Sequence, residues 1–176
     1  MPEPVSRPIL VMVSGLPGTG KSYFCRALAQ RLPSVIVETD VLRKLLFSSP
    51  CHTQAENRRL FNACHRLVEE LLQKGIRVIL DATNLSEGHR EQLYHIAEKM
   101  EAKLIIVRVE ATPEAVRQRL EERRQKANGG DHSDADWSVY QRMKGSVEAI
   151  SRPHFAVDTT RDIGPVLDKV VREARR

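Results

Sequence analysis

The sequence predicts an α/β fold, a three-layer α/β/α sandwich around about five parallel strands. Three observations predict it. Short apolar runs alternate with amphipathic segments of helical length along the whole chain, the pattern of a parallel sheet covered on both faces. The first run passes directly into a glycine-rich turn, Gly15-Leu16-Pro17-Gly18-Thr19-Gly20-Lys21-Ser22, and then into a helix. No internal repeat or linker composition interrupts the 176 residues, a length that suits one domain with a substantial core.

Residues 1–8 hold three prolines and read as a loose leader. Ile9, Leu10, Val11, Met12, Val13 and Ser14 form an apolar run that predicts a buried strand. After the glycine-rich turn, residues 21–32 predict a helix that Pro33 ends. Val35-Ile36-Val37 is a short second strand running into Glu38-Thr39-Asp40, followed by a helical turn (Val41, Leu42, Leu45, Leu46) that Ser48-Ser49-Pro50 breaks. Residues 54–74 carry the clearest helical stripe: Leu60, Phe61, Cys64, Leu67, Val68, Leu71 and Leu72. Gly75 sits where a left-handed C-cap belongs. A third strand is expected over 76–80, ending in Asp81-Ala82-Thr83-Asn84, then a helix over 87–100 capped by Ser86. Its inward positions are Leu93, Ile96, Ala97 and Met100. A fourth strand covers 104–107.

Thr112-Pro113-Glu114 is an N-cap, a first-turn proline and an acidic residue, and opens a helix over 113–126. Asn128-Gly129-Gly130-Asp131 reads as a flexible break, with Ser133 or Asp134 capping the next helix. That helix carries Trp137, Tyr140, Met143, Val147 and Ile150. A fifth strand is expected over 154–157. A final helix over 163–175 buries Ile163, Val166, Leu167, Val170, Val171 and Ala174.

Hydrophobic content of 41% and charged content of 29% are ordinary for a soluble globular protein. The net charge of +5 suits an anionic ligand without demanding nucleic acid, since part of the excess lies in Arg172, Arg175 and Arg176. No apolar run approaches a membrane span, and residues 1–8 are too short and polar for a signal peptide. Cys25, Cys51 and Cys64 are odd in number with no paired spacing, so a reduced, cytoplasmic setting is expected. Zinc binding by Cys51, His52, Cys64 and His65 is disfavoured, because Cys64 falls on the apolar face of its helix.

The octet Gly15 to Ser22 fits the phosphate-binding loop pattern: Gly, four residues, Gly, Lys, Ser/Thr. Gly15 and Gly20 permit backbone angles and a close approach that a Cβ would block. The loop amides (Gly15, Leu16, Pro17's neighbours, Gly18, Thr19, Gly20) and the dipole of the following helix form an anion nest. Lys21 adds a point charge for the β/γ bridge, and the Ser22 hydroxyl is a hard oxygen ligand for Mg²⁺. The motif therefore predicts binding of a nucleoside triphosphate with Mg²⁺.

In a parallel sheet, ligands sit outside the carboxyl ends of the strands. Asp40, Asp81, Asn84, Thr159, Thr160 and Arg161 all fall there. Asp40 suits a general base for an alcohol acceptor, and equally an N-cap for a helix over 41–47. Asp81 suits a carboxylate that holds Mg²⁺ or its water; Asn84 either joins the site or closes a turn. The helix over 113–126 is arginine-rich, with Arg119 and Arg123 on one face. It reads as a solvated charged helix or, given the Gly-Gly break, as a lid over about 112–150 that brings guanidinium groups onto the phosphates.

These features in their order resemble the P-loop kinases related to the 5′-polynucleotide kinase domain, a group that includes zeta-toxin-like kinases and small-molecule phosphotransferases. They are the phosphate loop, Thr39-Asp40-Val41-Leu42-Arg43, Asp81-Ala82-Thr83-Asn84-Leu85 with Arg90, and Arg119 with Arg123. The resemblance implies an AAA-type ATP-binding kinase fold and transfer of the γ-phosphate of ATP to a hydroxyl. It implies Asp40 as general base, Arg43 on a phosphate of the acceptor, and Asp81 and Asn84 in the site floor. Arg90 is implied as a supporting residue on the acceptor side, and Arg119, Arg123 and Arg161 on the nucleotide. The acceptor is either a nucleic-acid 5′-OH end or a small phosphate-bearing molecule; the other class of function is a nucleotide-dependent switch without an acceptor. Arg43 lies three residues after Asp40, so both side chains emerge on one side of a helical turn. That favours a phosphate-bearing acceptor, against a surface Arg43 paired with Glu38 or solvent. Residues 45–59 match no motif, and the sequence holds no phosphatase or ligase segment.

Overall fold

A computed structural model describes residues 7–126 and 136–176 of the protein. Five strands, β1 (Ile9–Ser14), β2 (Val35–Glu38), β3 (Val78–Asp81), β4 (Lys103–Glu110) and β5 (Phe155–Asp158), form one sheet in the order β2-β3-β1-β4-β5. Every pairing is parallel. The helices are α1 (Lys21–Arg31), α2 (Thr39–Leu46), α3 (Gln54–Gln73), α4 (Glu87–Lys99), α5 (Pro113–Gln125), α6 (Trp137–Lys144) and α7 (Gly164–Arg175).

Alternation along β1 divides the core into two layers. Ile9, Val11 and Val13 face α1 and α7, meeting Phe24, Leu28, Leu167 and Val170. Leu10 and Met12 face α3 and α4, meeting Cys64, Val68, Leu72, Leu93 and Ala97. All six residues of β1 are buried, as a central parallel strand covered on both faces must be. This is the predicted three-layer sandwich.

Several boundaries differ from expectation. The third strand begins at Val78 because Gly75, at φ +72°, and Ile76 are used to end α3: their amides donate to the Leu72 and Leu71 carbonyls. Helix α2 begins at Thr39 with Glu38 as its N-cap, so Asp40 lies inside the first turn and is not the cap. Within α3 the buried apolar stripe is Leu60, Cys64, Val68 and Leu72, while Leu67 is 37% exposed. Helix α6 is shorter than expected and is capped by Asp136, whose carboxylate accepts from the Val139 amide; Val147 and Ile150 lie beyond its end. Residues 1–6 of the expected leader, the Asn128–Asp131 break, and Ser133 and Asp134 lie outside the described residues. Among the described residues, no helix is long and apolar enough to cross a membrane, and no group of three or more His, Cys, Asp or Glu side chains is gathered to hold a metal ion.

Candidate active site

The turn between β1 and α1 is built at the carboxyl edge of the sheet. Gly15 passes so close to β4 that a Cβ there would lie 2.4 Å from the Val109 carbonyl oxygen. Gly20 adopts φ +92° against the Thr159 side chain. The Gly15 amide donates to the Thr83 carbonyl (3.0 Å), and Thr19 Oγ1 donates to the Leu16 carbonyl (2.7 Å). The loop is therefore held from inside the turn and from the β3–α4 connection.

Lys21 is partly buried, and its Nζ donates to the Leu16 carbonyl at 3.1 Å. Burial pulls its pKa below the ordinary value; the carboxylates of Asp81 and Asp40 oppose this, and the nearby Arg123 charge adds to it. Asp81, Asp40 and Arg123 thus all lie within electrostatic reach of the Lys21 ammonium. Next to it, Ser22 Oγ donates to Asp81 Oδ2 at 2.6 Å. Asp81 is buried at the end of β3 in register with Val13 of β1 and Glu38 of β2. Asp40, exposed in the first turn of α2, follows two residues after Glu38.

Arg119 donates to the Gly18 carbonyl (3.3 Å), Thr159 Oγ1 (2.8 Å) and the Thr159 carbonyl (3.2 Å), while Thr159 Oγ1 donates to the Thr19 carbonyl (2.5 Å). Arg119 and Thr159 together bolt α5 and the β5–α7 turn onto the phosphate loop. Helix α5 is not merely solvated, because Val116 and Leu120 are buried with Tyr140 and Leu16. Arg161 is 84% exposed, beside Asp158 at 3.5 Å.

Three residues expected on the acceptor side are engaged by the protein itself. Asn84, buried at φ +47°, donates from Nδ2 to the Val13 carbonyl (2.9 Å), and its own carbonyl accepts from Ser14 Oγ and from Arg90. It closes a turn. Arg90 is 1% exposed and donates to Glu87, Asn84, Glu148 and Ala149, pinning the segment before β5 to the β3–α4 connection. Arg43 is engaged by α3: NH1 lies 2.5 Å from Glu56 Oε1 and NH2 donates to Asn57 Oδ1 at 2.8 Å, while its Nε is buried without a hydrogen-bond partner.

Sequence reasoning placed Thr159 at the ligand-facing edge of the sheet without a specific role, and passed over Glu56. Thr159 had no local signal beyond its place after β5. Glu56 had one, the Thr53-x-x-Glu56 spacing of a capping box, and Thr53 Oγ1 does accept from the Glu56 amide at 3.1 Å.

Residues 10–150 match the family described as the AAA domain. The chain belongs to that family. Among curated relatives of this AAA-domain chain is the L-seryl-tRNA(Sec) kinase of Methanococcus maripaludis, 25% identical over 172 residues. The match takes in 93% of this chain but 65% of that relative's length. Among solved structures, Chaetomium thermophilum Kti12 in complex with ADP-AlF3 superposes with a TM-score of 0.75 at 21% identity, over 93% of this chain and 96% of that one. Mycobacterium tuberculosis APS kinase CysC, in complex with AMPPNP and APS, gives 0.72 at 16% identity over 97% and 99%. These likenesses establish the fold of a P-loop kinase, and the AAA-domain chain is a kinase-like P-loop domain.

Proposed function

We propose that this domain is an ATP-dependent kinase that transfers the γ-phosphate to a hydroxyl, with Asp40 as the general base. The observation that carries the reading is the cluster around Lys21: Ser22 hydrogen-bonded to Asp81, with Asp40 and Arg123 within electrostatic reach of the same ammonium. A switch needs the phosphate loop but has no use for a carboxylate exposed beside it on the acceptor side.

Within this reading the loop amides of Gly15, Gly18, Thr19 and Gly20 and the Lys21 ammonium hold the triphosphate. Ser22 Oγ and Asp81 Oδ2, two hard oxygens 2.6 Å apart, fit Mg²⁺ and its water. Bound Mg²⁺ would neutralise charge on the β- and γ-phosphates. Asp40 accepts the proton of the attacking hydroxyl. Arg123 faces the transferring group, Arg119 fixes α5 as the lid that carries it, and Arg161 lies on the nucleotide side. The 176 residues act as one kinase domain in a reduced, cytoplasmic setting.

For the acceptor, a hydroxyl carried on a nucleic acid is the first choice. A tRNA-directed relative by name and a net charge of +5 support it. A small metabolite is the second, supported by the fold shared with APS kinase. A screen with γ-labelled ATP decides, using 5′-OH DNA and RNA oligonucleotides, seryl-tRNA and small alcohols as acceptors. Label on one class identifies it. ATP turnover that reaches no acceptor and is insensitive to Asp40→Asn would leave the switch reading.

A further inference from the structure

We propose that Glu56 claims Arg43 as its own partner, so that Arg43 is a positioning residue for Asp40 and the acceptor bears no phosphate at that point. The proposal rests on the kinase reading above and narrows its substrate class.

Helix α2 carries Asp40 in its first turn and Arg43 one turn later. It has no fully buried side chain, and Leu45 and Leu46 are 76% and 49% exposed. Apolar burial therefore does little to fix this helix, beyond Leu42 against the core. The buried tie is polar. Arg43 and Glu56 are 11% and 7% exposed, and the guanidinium spans Glu56 and Asn57 at the start of α3.

Glu56 is built to remain an anion. Its Oε2 accepts from the Cys51 amide (2.7 Å), and its Oε1 from the His52 amide (3.3 Å) and Arg43. The Cys51 hydrogen bond is the largest cause holding this carboxyl below its ordinary pKa, with Arg43 adding to it. The first turn of a helix also favours negative charge. A phosphate on the acceptor that took the terminal fork would have to displace Glu56 from NH1 and Asn57 from NH2. Taking it would leave a buried carboxylate without its counter-charge, the most unfavourable way to break such a pair. The substrate class is then a hydroxyl on a neutral or cationic group, including such a group at the end of a longer nucleic acid.

Two arms test this. The first measures binding of a nucleoside 3′-monophosphate and of the bare nucleoside to protein loaded with a non-hydrolysable ATP analogue. Wild type should favour the phosphate by less than about threefold, and Glu56→Gln should raise that preference about tenfold by freeing the fork. A wild-type preference of about tenfold or more that Arg43→Ala abolishes overturns the proposal, as does a Glu56→Gln preference no greater than wild type. The second arm measures kcat and KM on an accepted hydroxyl. Arg43→Ala should lower kcat about 10²-fold with acceptor KM within about threefold, and Glu56→Asp should retain more activity than Glu56→Gln. In an Asp40→Asn background, Arg43→Ala should cost no further kcat; a full additional loss means that Arg43 acts on substrate directly, which overturns the positioning role. Wild type that binds ATP but transfers phosphate to no hydroxyl, water included, removes the kinase reading instead, while the binding arm still reads the competition for Arg43.

Discussion

The Ser22 hydroxyl donates a 2.6 Å hydrogen bond to Asp81 Oδ2, joining the first turn of α1 to the end of β3. These residues are 59 positions apart, and β1 and β3 lie side by side in register, Val13 opposite Asp81. The sheet, and not the motif, brings them together.

Asp81→Asn keeps the volume and an acceptor oxygen for Ser22 but removes the charge that would hold Mg²⁺. Turnover should fall by about 10²-fold or more, with a steeper requirement for added Mg²⁺. A magnesium titration of turnover checks this. Activity within about threefold of wild type, at unchanged magnesium dependence, would remove Asp81 from the site.

Lys21→Met should abolish transfer and stabilise the fold. Burial depresses the Lys21 pKa, so its proton is held less well in the folded chain than in the unfolded one, where the value is 10.5. Below the depressed pKa the ammonium is present in both states and its burial costs stability. As pH rises through that pKa toward 10.5 the folded chain releases the proton first, and the cost disappears. The variant should therefore be more stable than wild type near neutrality, an advantage that shrinks toward pH 10. Thermal unfolding across pH reads both effects; an advantage that grows with pH would show the opposite sign of shift.

How much of this could be read beforehand depended on whether a residue's role was local. The phosphate loop, the Ser86 and Thr112 caps and the Gly75 C-cap are written within a few neighbouring positions, and the structure has them as expected. Arg90 was not legible, because its partners Glu148 and Ala149 lie about sixty residues away, and a lone arginine near the site looks like a ligand contact. Arg43 was half legible for a related reason: its helical spacing from Asp40 is local, but Glu56 approaches from another helix. Thr159 bridges to Thr19 across 140 residues and leaves no local trace.

Arg90→Ala tests that reassignment. Removing a guanidinium that is 1% exposed strips partners from three carbonyls and from Glu87. Stability should fall by about 3–5 kcal/mol, visible as a lower urea midpoint. If Arg90 only touched the acceptor, its loss would raise KM and leave stability within about 0.5 kcal/mol, and that result would restore its acceptor-side role.

The strand order has a consequence for biosynthesis. β1 is made before both of its neighbours, β3 and β4, which begin at Val78 and Lys103, and Thr159, which clamps Thr19, follows β5. A nascent chain translated only as far as Ile150 already contains the whole nucleotide motif but lacks the edge strand and the threonine that closes the loop from outside. Such non-local pairings form slowly and leave apolar surface uncovered meanwhile. During translation, then, the clamp on the loop can form only after Thr159 has left the ribosome and β5 has docked beside β4.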